Sequence, residues 1–292
     1  MKQLEIGVML DSFKMDMEAS IEAAHGLGLE GVQVSAVQNS MNPDVLDKKK
    51  RRDLLNLLKV RGLKVSAVCG DLGGYGFKNP KDNKRKIAQT IKIIQFAKDL
   101  QSDIITTHVG VIPEVKNDDY LAIFEACQKL GEYAFEMNAC LAIETGPEKV
   151  ATLKAFLDDL NSKSIKVNYD PANLVMITGD DPVSGVYMLK DYIVHTHAKD
   201  GIMRKQVCPN LIYDFLAEGS IGDLCLDNYF IERPLGEGSV DFTNYLKALY
   251  SIGYTGFLTI EREVGENPYH DISKAVSYLR RINRLSDSEN GF

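Results

Sequence analysis

The sequence predicts an α/β fold: a single (β/α)8 barrel over residues 1–292, with a long insertion after the seventh strand. Three observations predict it. Short apolar or β-branched runs alternate with longer amphipathic segments from end to end, which makes eight strand–helix units. The short runs are nearly continuous in apolar residues, the pattern of parallel strands covered on both faces. Eight right-handed βα crossovers close into a barrel. The alternative, an open doubly wound sheet, needs a topological switch point, and no G-x-G-x-x-G follows the first strand to mark one.

Each element has its own signal. The first strand is Glu5–Leu10, and its helix, Asp16–Leu29, opens on Asp16 as a cap and closes in G-L-G-L-E-G. The second strand is Gly31–Ala36. Its helix, Asp47–Arg61, carries K-K-K-R-R at 48–52; Leu54, Leu55, Leu57 and Leu58 mark that run as the solvated side of an amphipathic helix. The third strand, Lys64–Cys69, runs into G-D-L-G-G-Y-G-F, which has no Lys-Ser/Thr pair and so reads as a pocket-lining loop, not a phosphate loop. Helix three covers Asp82–Leu100, strand four Asp103–His108 and helix four Asp118–Asn138. Strand five, Cys140–Glu144, ends in T-G-P, with helix five over Val150–Leu160. Strand six, Lys166–Asp170, ends in P-A-N, with helix six near Asp181–Asp191.

Strand seven runs out through I-V-H-T-H-A-K-D-G, Ile193–Gly201, where alternation puts His195 and His197 on one face. Helix seven is about Asp241–Ile252, strand eight Phe257–Glu261 and helix eight Asp271–Leu285; the closing S-D-S-E-N-G-F reads as frayed. Residues 201–238 lack a clean barrel element. Connections this long usually carry function or disorder, and Tyr213, Phe215, Leu216, Tyr229 and Phe230 make this one too apolar for disorder. It reads as a lid over the barrel mouth or as the dimer contact of a homo-oligomer.

Composition narrows the partners. A formal charge of −7 opposes nucleic acid and anionic membrane surfaces. Five cysteines with no C-x-x-C pair read as free thiols in a reducing compartment. The N-terminal residues enter a strand containing Glu5 and do not resemble a signal peptide. No apolar run reaches the roughly eighteen residues of a membrane span. A cytoplasmic protein acting on a small molecule is expected.

In barrel enzymes chemistry gathers where strands end at the C-terminal face. Four consecutive strands here end in Glu144, Asp170, His197 and Glu261. Three carboxylates converging there would repel one another unless a cation sat between them. Three oxygen donors and one imidazole suit one divalent metal ion, Mn2+ first, with Mg2+, Co2+ and Zn2+ as alternatives. Glu263 shares a face with Glu261 and is its rival. His195, one pleat deeper, reads as a core residue or a support behind the ligands. His108 ends strand four and could reach the pocket as a substrate contact or proton donor. Glu148 reads equally as a substrate contact or a helix-start carboxylate, and Lys199 as pocket-edge or surface. Gly236 and Gly238 could aim backbone amides at an anion, or form only a turn. His25 and His270 read as surface residues.

The motifs A-I-E-T-G-P-E, Y-D-P-A-N, H-T-H-A-K-D-G, P-L-G-E-G-S-V-D-F and L-T-I-E-R-E resemble the xylose-isomerase-like barrel superfamily, in particular its sugar and sugar-phosphate isomerase/epimerase branch, over nearly the whole chain. The resemblance implies a ketose 3-epimerase-like site in which Glu144, Asp170, His197 and Glu261 bind the metal. Glu144 and Glu261 would also act as acid and base. Arg204 would hold substrate hydroxyls, and Asn173 stands where those epimerases have a histidine. The implied reaction is proton transfer in a sugar or sugar phosphate through a metal-stabilised enediolate. Its alternative is a lyase on a keto-cyclitol or keto-glycoside, similar to inosose dehydratases, with His108 as acid. A DNA-repair endonuclease of the same superfamily needs more metal ligands and a basic groove than this acidic chain offers, and a non-catalytic binding barrel sits poorly with an intact quartet.

Overall fold

The structure is a computed structural model and describes residues 3–37 and 41–289. In chain order it contains β1 (Glu5–Met9), α1 (Met17–Gly26), β2 (Gly31–Ser35), α2 (Lys48–Val60), β3 (Lys64–Cys69), α3 (Pro80–Asp99), β4 (Ile104–Thr107), α4 (Asp118–Glu136), β5 (Cys140–Glu144), α5 (Val150–Leu160) and β6 (Ile165–Tyr169). A short helix α6 (Pro171–Asn173) leads into a wider turn over Leu174–Thr178. Then come α7 (Pro182–Met188), β7 (Ile193–Ala198), β8 (Asp200–Met203), α8 (Pro209–Glu218), β9 (Phe230–Arg233), α9 (Phe242–Ser251), β10 (Phe257–Ile260) and α10 (Pro268–Glu289).

Among the described residues, eight parallel strands form a closed barrel in the order β1-β10-β7-β6-β5-β4-β3-β2. This is the predicted (β/α)8 fold. The remaining two strands, β8 and β9, pair antiparallel as a hairpin, with Asp200 opposite Arg233 and Met203 opposite Phe230. The stretch after β7 is therefore more ordered than its sequence suggests: a hairpin brackets helix α8, which opens on Pro209 and closes on Gly219.

Short polar side chains start the helices as predicted. Asp16 accepts from Ala19 N at 2.9 Å and Asp47 from Lys50 N at 2.9 Å. Helix α3 begins two residues earlier than expected, because Asn79 caps it and Pro80 occupies its first turn. Helix α10 runs on through four of the residues expected to fray, and the last three, 290–292, lie outside the described residues. The basic run 48–52 is largely exposed on α2, and its half-buried member, Arg51, pairs with Asp99 at 2.8 Å. Among the described residues no helix is long and apolar enough to cross a membrane.

The apolar core lies between the barrel and its helices, with Val8, Val32, Val68, Ile105, Val167 and Leu258 fully buried. The barrel ring places β5, β6, β7 and β10 side by side, so the residues at their C-terminal ends share one rim.

Candidate metal centre

Four adjacent strands deliver four side chains to that rim. Glu144 ends β5, Asp170 follows β6, His197 is near the end of β7 and Glu261 follows β10. Each offers one ligand atom, and all four atoms lie within 4.8 Å of one another. His197 Nδ1 is 3.6 Å from Glu144 Oε1, 3.6 Å from Asp170 Oδ2 and 3.2 Å from Glu261 Oε2. All four residues are buried.

Two of these atoms, Asp170 Oδ2 and His197 Nδ1, are buried without a hydrogen-bond partner. Buried polar atoms are ordinarily satisfied, and here the unsatisfied pair faces two more carboxylates. The donor set fits a hard or borderline divalent cation.

The surrounding bonds fix the direction of each ligand. Thr106 Oγ1 bonds Gln33 Nε2 at 3.0 Å, which turns Gln33 Oε1 towards His197 Nε2 at 3.0 Å. Nε2–H therefore donates to the amide and Nδ1 faces the quartet. Asp170 uses Oδ1 to cap α6, accepting from Ala172 N at 2.7 Å and Asn173 N at 3.1 Å, which frees Oδ2. Asn168 Nδ2 donates to Glu144 Oε2 at 3.0 Å, and Asn173 Nδ2 to Glu144 Oε1 at 3.0 Å. Gly146, at φ 67°, lets Asn173 come this close; a Cβ there would lie 2.9 Å from that of Asn173.

His195 plays the supporting part. Its Nδ1 bonds Asn168 Oδ1 at 2.8 Å and its Nε2 bonds Thr259 Oγ1 at 2.9 Å, so it orients the amide behind Glu144. Burial, with His197 beside it, pushes its pKa well below the usual value and keeps the ring neutral.

The field of the site is strongly negative. Burial pulls the His197 pKa down, but the Glu261 and Glu144 carboxylates outweigh it and hold the pKa well above the usual range. Burial raises Asp170. Burial also opposes ionisation of Glu261, yet Lys199 and His197 hold its pKa well below the ordinary value. Lys199 is buried, not superficial, with Nζ 3.0 Å from Glu261 Oε2 and bonded to Glu263 as well. Glu263 itself remains largely exposed and stays outside the quartet.

A cavity of about 340 Å³ opens above the quartet. Its walls include Asp71, His108, Glu144, Asn173, Lys199 and Glu261, together with Ile212, Tyr213 and Leu216 of α8. The glycine-rich loop after β3 lines it, as predicted, through Gly73 and Gly74. His108 Nδ1 bonds Asp71 Oδ2 at 2.9 Å, and its Nε2 lies 3.8 Å from Glu144 Oε1. Burial lowers the His108 pKa, but Glu144 and Asp71 push it up to about 10. A dication in the quartet would cancel much of that push.

Two expected substrate contacts are not brought to this cavity. The chain turns into the β8–β9 hairpin after Asp200, which carries Arg204 past the rim; the residue is exposed, and its Nη1 donates to Asp227 O at 2.8 Å. Glu148 turns aside into a neighbouring cavity with Ile112, Pro147 and Asn210. There it is buried, accepts from Ile112 N at 3.3 Å, and is raised by burial to about 7. His25 and His270 are exposed, as predicted.

Gln33, Asn168 and Asp71 were not singled out in the sequence. The signal for the two amides is weak but real: each is a polar side chain in the middle of a strand flanked by Val or Tyr, and so needs a buried partner.

The class is a closed parallel barrel whose C-terminal rim carries a buried carboxylate–histidine quartet that could hold a metal ion. The chain belongs to the xylose isomerase-like TIM barrel family, whose model matches residues 21–282. An uncharacterized protein of Methanocaldococcus jannaschii is 26% identical over 260 residues, covering 84% of this chain and 85% of that protein. An inosose dehydratase of Lacticaseibacillus casei is 25% identical over 177 residues, covering 57% of this chain and 56% of the dehydratase. Among solved structures, a xylose isomerase domain protein from Planctomyces limnophilus superposes with a TM-score of 0.79 at 23% identity, over 98% of this chain and 99% of that one. A D-tagatose 3-epimerase-like protein superposes with a TM-score of 0.72 at 18% identity, over 97% and 99%.

Proposed function

We propose that the protein is a divalent-metal-dependent sugar isomerase or epimerase that moves a proton at a carbon beside a carbonyl. The observation that carries this reading is the pair of orphaned buried atoms, Asp170 Oδ2 and His197 Nδ1, facing Glu144 and Glu261. Glu144, Asp170, His197 and Glu261 would hold the ion, with Mn2+ the first choice for this donor set. When bound, the ion supplies positive charge for the substrate oxygens that become negative as the proton leaves.

The chain's own residues do the rest. Glu144 and Glu261 stand three strands apart on the ring and approach the cavity from different walls. Each has its pKa lowered, Glu144 by His197 and His108 against the cost of burial, Glu261 by Lys199 and His197. One carboxylate, ionised, takes the proton on one face of the substrate carbon; the other, protonated from solvent for that step, delivers a different proton on the opposite face, and both reset by exchange with water. Asn168 and Asn173 keep Glu144 in a single rotamer.

The second reading, a dehydratase on a keto-cyclitol or keto-glycoside, is favoured by one feature of the site and one relative. His108, on Asp71, faces the cavity beside Glu144, where an acid could protonate a leaving hydroxyl. The partial match to an inosose dehydratase points the same way. The test is turnover in deuterated water with Mn2+. Exchange at one carbon without loss of mass marks the epimerase, and loss of water marks the dehydratase. Glu144→Gln and Glu261→Gln should each cut turnover at least about 1,000-fold with the fold intact by circular dichroism. Near-normal rates in both variants would reject the mechanism.

A further inference from the structure

Where a barrel of this kind takes a phosphorylated substrate, the phosphate commonly sits on backbone amides of the loops after the seventh and eighth barrel strands. In this protein amides of the connection after the seventh barrel strand are already occupied from within. Asp200, only 1% exposed, opens β8, two residues past the end of β7. Its Oδ2 accepts from Gly236 N at 2.9 Å and Gly238 N at 2.9 Å. Its Oδ1 accepts from Gly201 N at 2.8 Å and Val240 N at 3.1 Å. A Cβ at position 238 would lie 2.0 Å from Asp200 Oδ1, so the glycine is what lets the carboxylate enter. The anion that the glycines of P-L-G-E-G suggest is the chain's own.

The nearby cations are committed too. Lys199 lies between Glu261 and Glu263, and His108 is bonded to Asp71. Lys86, beneath the glycine-rich loop, donates to Gly73 O at 3.0 Å and Gly76 O at 2.6 Å. Arg262, just after β10, is bonded to Glu232 at 2.6 Å and Asp271 at 2.9 Å, and Arg204 faces away. Among the described residues that line the cavity, the carboxylates Asp71, Glu144, Glu261 and Glu263 outnumber the cations Lys199 and His108. With Asp170 behind them, even a bound dication leaves the pocket negative, and a phosphate dianion entering it would be repelled. Carbon also lines this cavity: Ile177, Ile212, Leu216 and Ala217.

We infer that the substrate is an uncharged polyol, a free ketose, keto-cyclitol or keto-glycoside, whose end remote from the quartet turns C–H surface to Ile177, Ile212 and Leu216. Phosphate esters and sugar acids are excluded. The inference rests on the quartet being the reacting centre, and the experiment separates the two.

In the first arm the Mn2+-loaded protein meets neutral ketohexoses, a keto-inositol and the phosphate esters of the same ketohexoses in deuterated water. Neutral compounds should exchange with kcat/KM at least about 100-fold above their esters. Equal or better exchange of the esters overturns the inference while leaving the proposed chemistry standing. No exchange with any compound overturns the proposed chemistry.

The second arm needs no turnover. Calorimetry compares a hexitol with its phosphate on the same Mn2+-loaded protein. Tighter binding of the hexitol supports the inference; tighter binding of its phosphate overturns it. Leu216→Lys, which puts a cation on the apolar wall, should improve hexitol phosphate binding about tenfold. No gain in that variant would show that the far end of the substrate does not meet α8.

Discussion

At the scale of single residues, the proposed metal site would set protons against a metal ion. His197 has its pKa raised by Glu261 and Glu144 against the effect of burial, so without metal it keeps its proton at neutral pH. An entering ion must displace that proton. Apparent Mn2+ affinity should therefore rise about tenfold per pH unit between about pH 6 and 8, as one proton is released per ion bound. Isothermal titration across that range checks it; a flat profile would mean that Nδ1 is no ligand. Gln33 sets which nitrogen faces the ion, so Gln33→Leu should weaken Mn2+ about 10- to 100-fold with little change in the fold. The quartet itself was legible in the sequence because strand ends are positions that chain order alone can assign. The burial of Lys199 was not legible, because it depends on Glu261 and Glu263 arriving from another strand. The place of Arg204 was not legible for a related reason: the β8–β9 hairpin decides whether a side chain after β7 turns inward or outward.

At the scale of elements, period and caps did most of the sorting. The strands β3 and β5 have the predicted bounds, and so does α5. Helix ends drifted by a few residues where a cap competed, as with Asn79 in place of Asp82. The insertion was harder to read, since β8, α8 and β9 are short and gain their order from contacts with the rim. Two buried anchors pin it there. Glu232 of β9 takes Arg262 Nη1 at 2.6 Å, and Asp200 gathers four backbone amides. Asp200→Ala would leave those donors buried without an acceptor, at a cost of about 3 kcal/mol. Asp200→Asn keeps one acceptor oxygen and should lose roughly half as much. Urea unfolding of the metal-free protein measures both. A loss below about 1 kcal/mol for the alanine variant would show that the loop finds other partners.

At the scale of the whole molecule, the barrel holds buried like charges together, and under the proposed function a bound ion would relieve them. The chain already carries a formal −7, and its quartet adds local repulsion that the metal-free fold must absorb. An ion that binds the folded state alone adds RT ln(1 + [L]/Kd), about 4 kcal/mol at 1,000 times Kd. For a protein of 292 residues that is a rise in melting temperature of about 7 °C. Mn2+ should produce such a rise in a calorimetric scan, and a chelator should reverse it. Asp170→Asn separates charge relief from simple loss of structure. Its retained Oδ1 can still cap Ala172 and Asn173, while one buried negative charge disappears. The variant should lose the Mn2+-dependent rise yet melt, metal-free, no lower than the parent. If it melts several degrees lower, the carboxylate stabilises the barrel by itself, and the strained-until-filled picture of the rim is wrong.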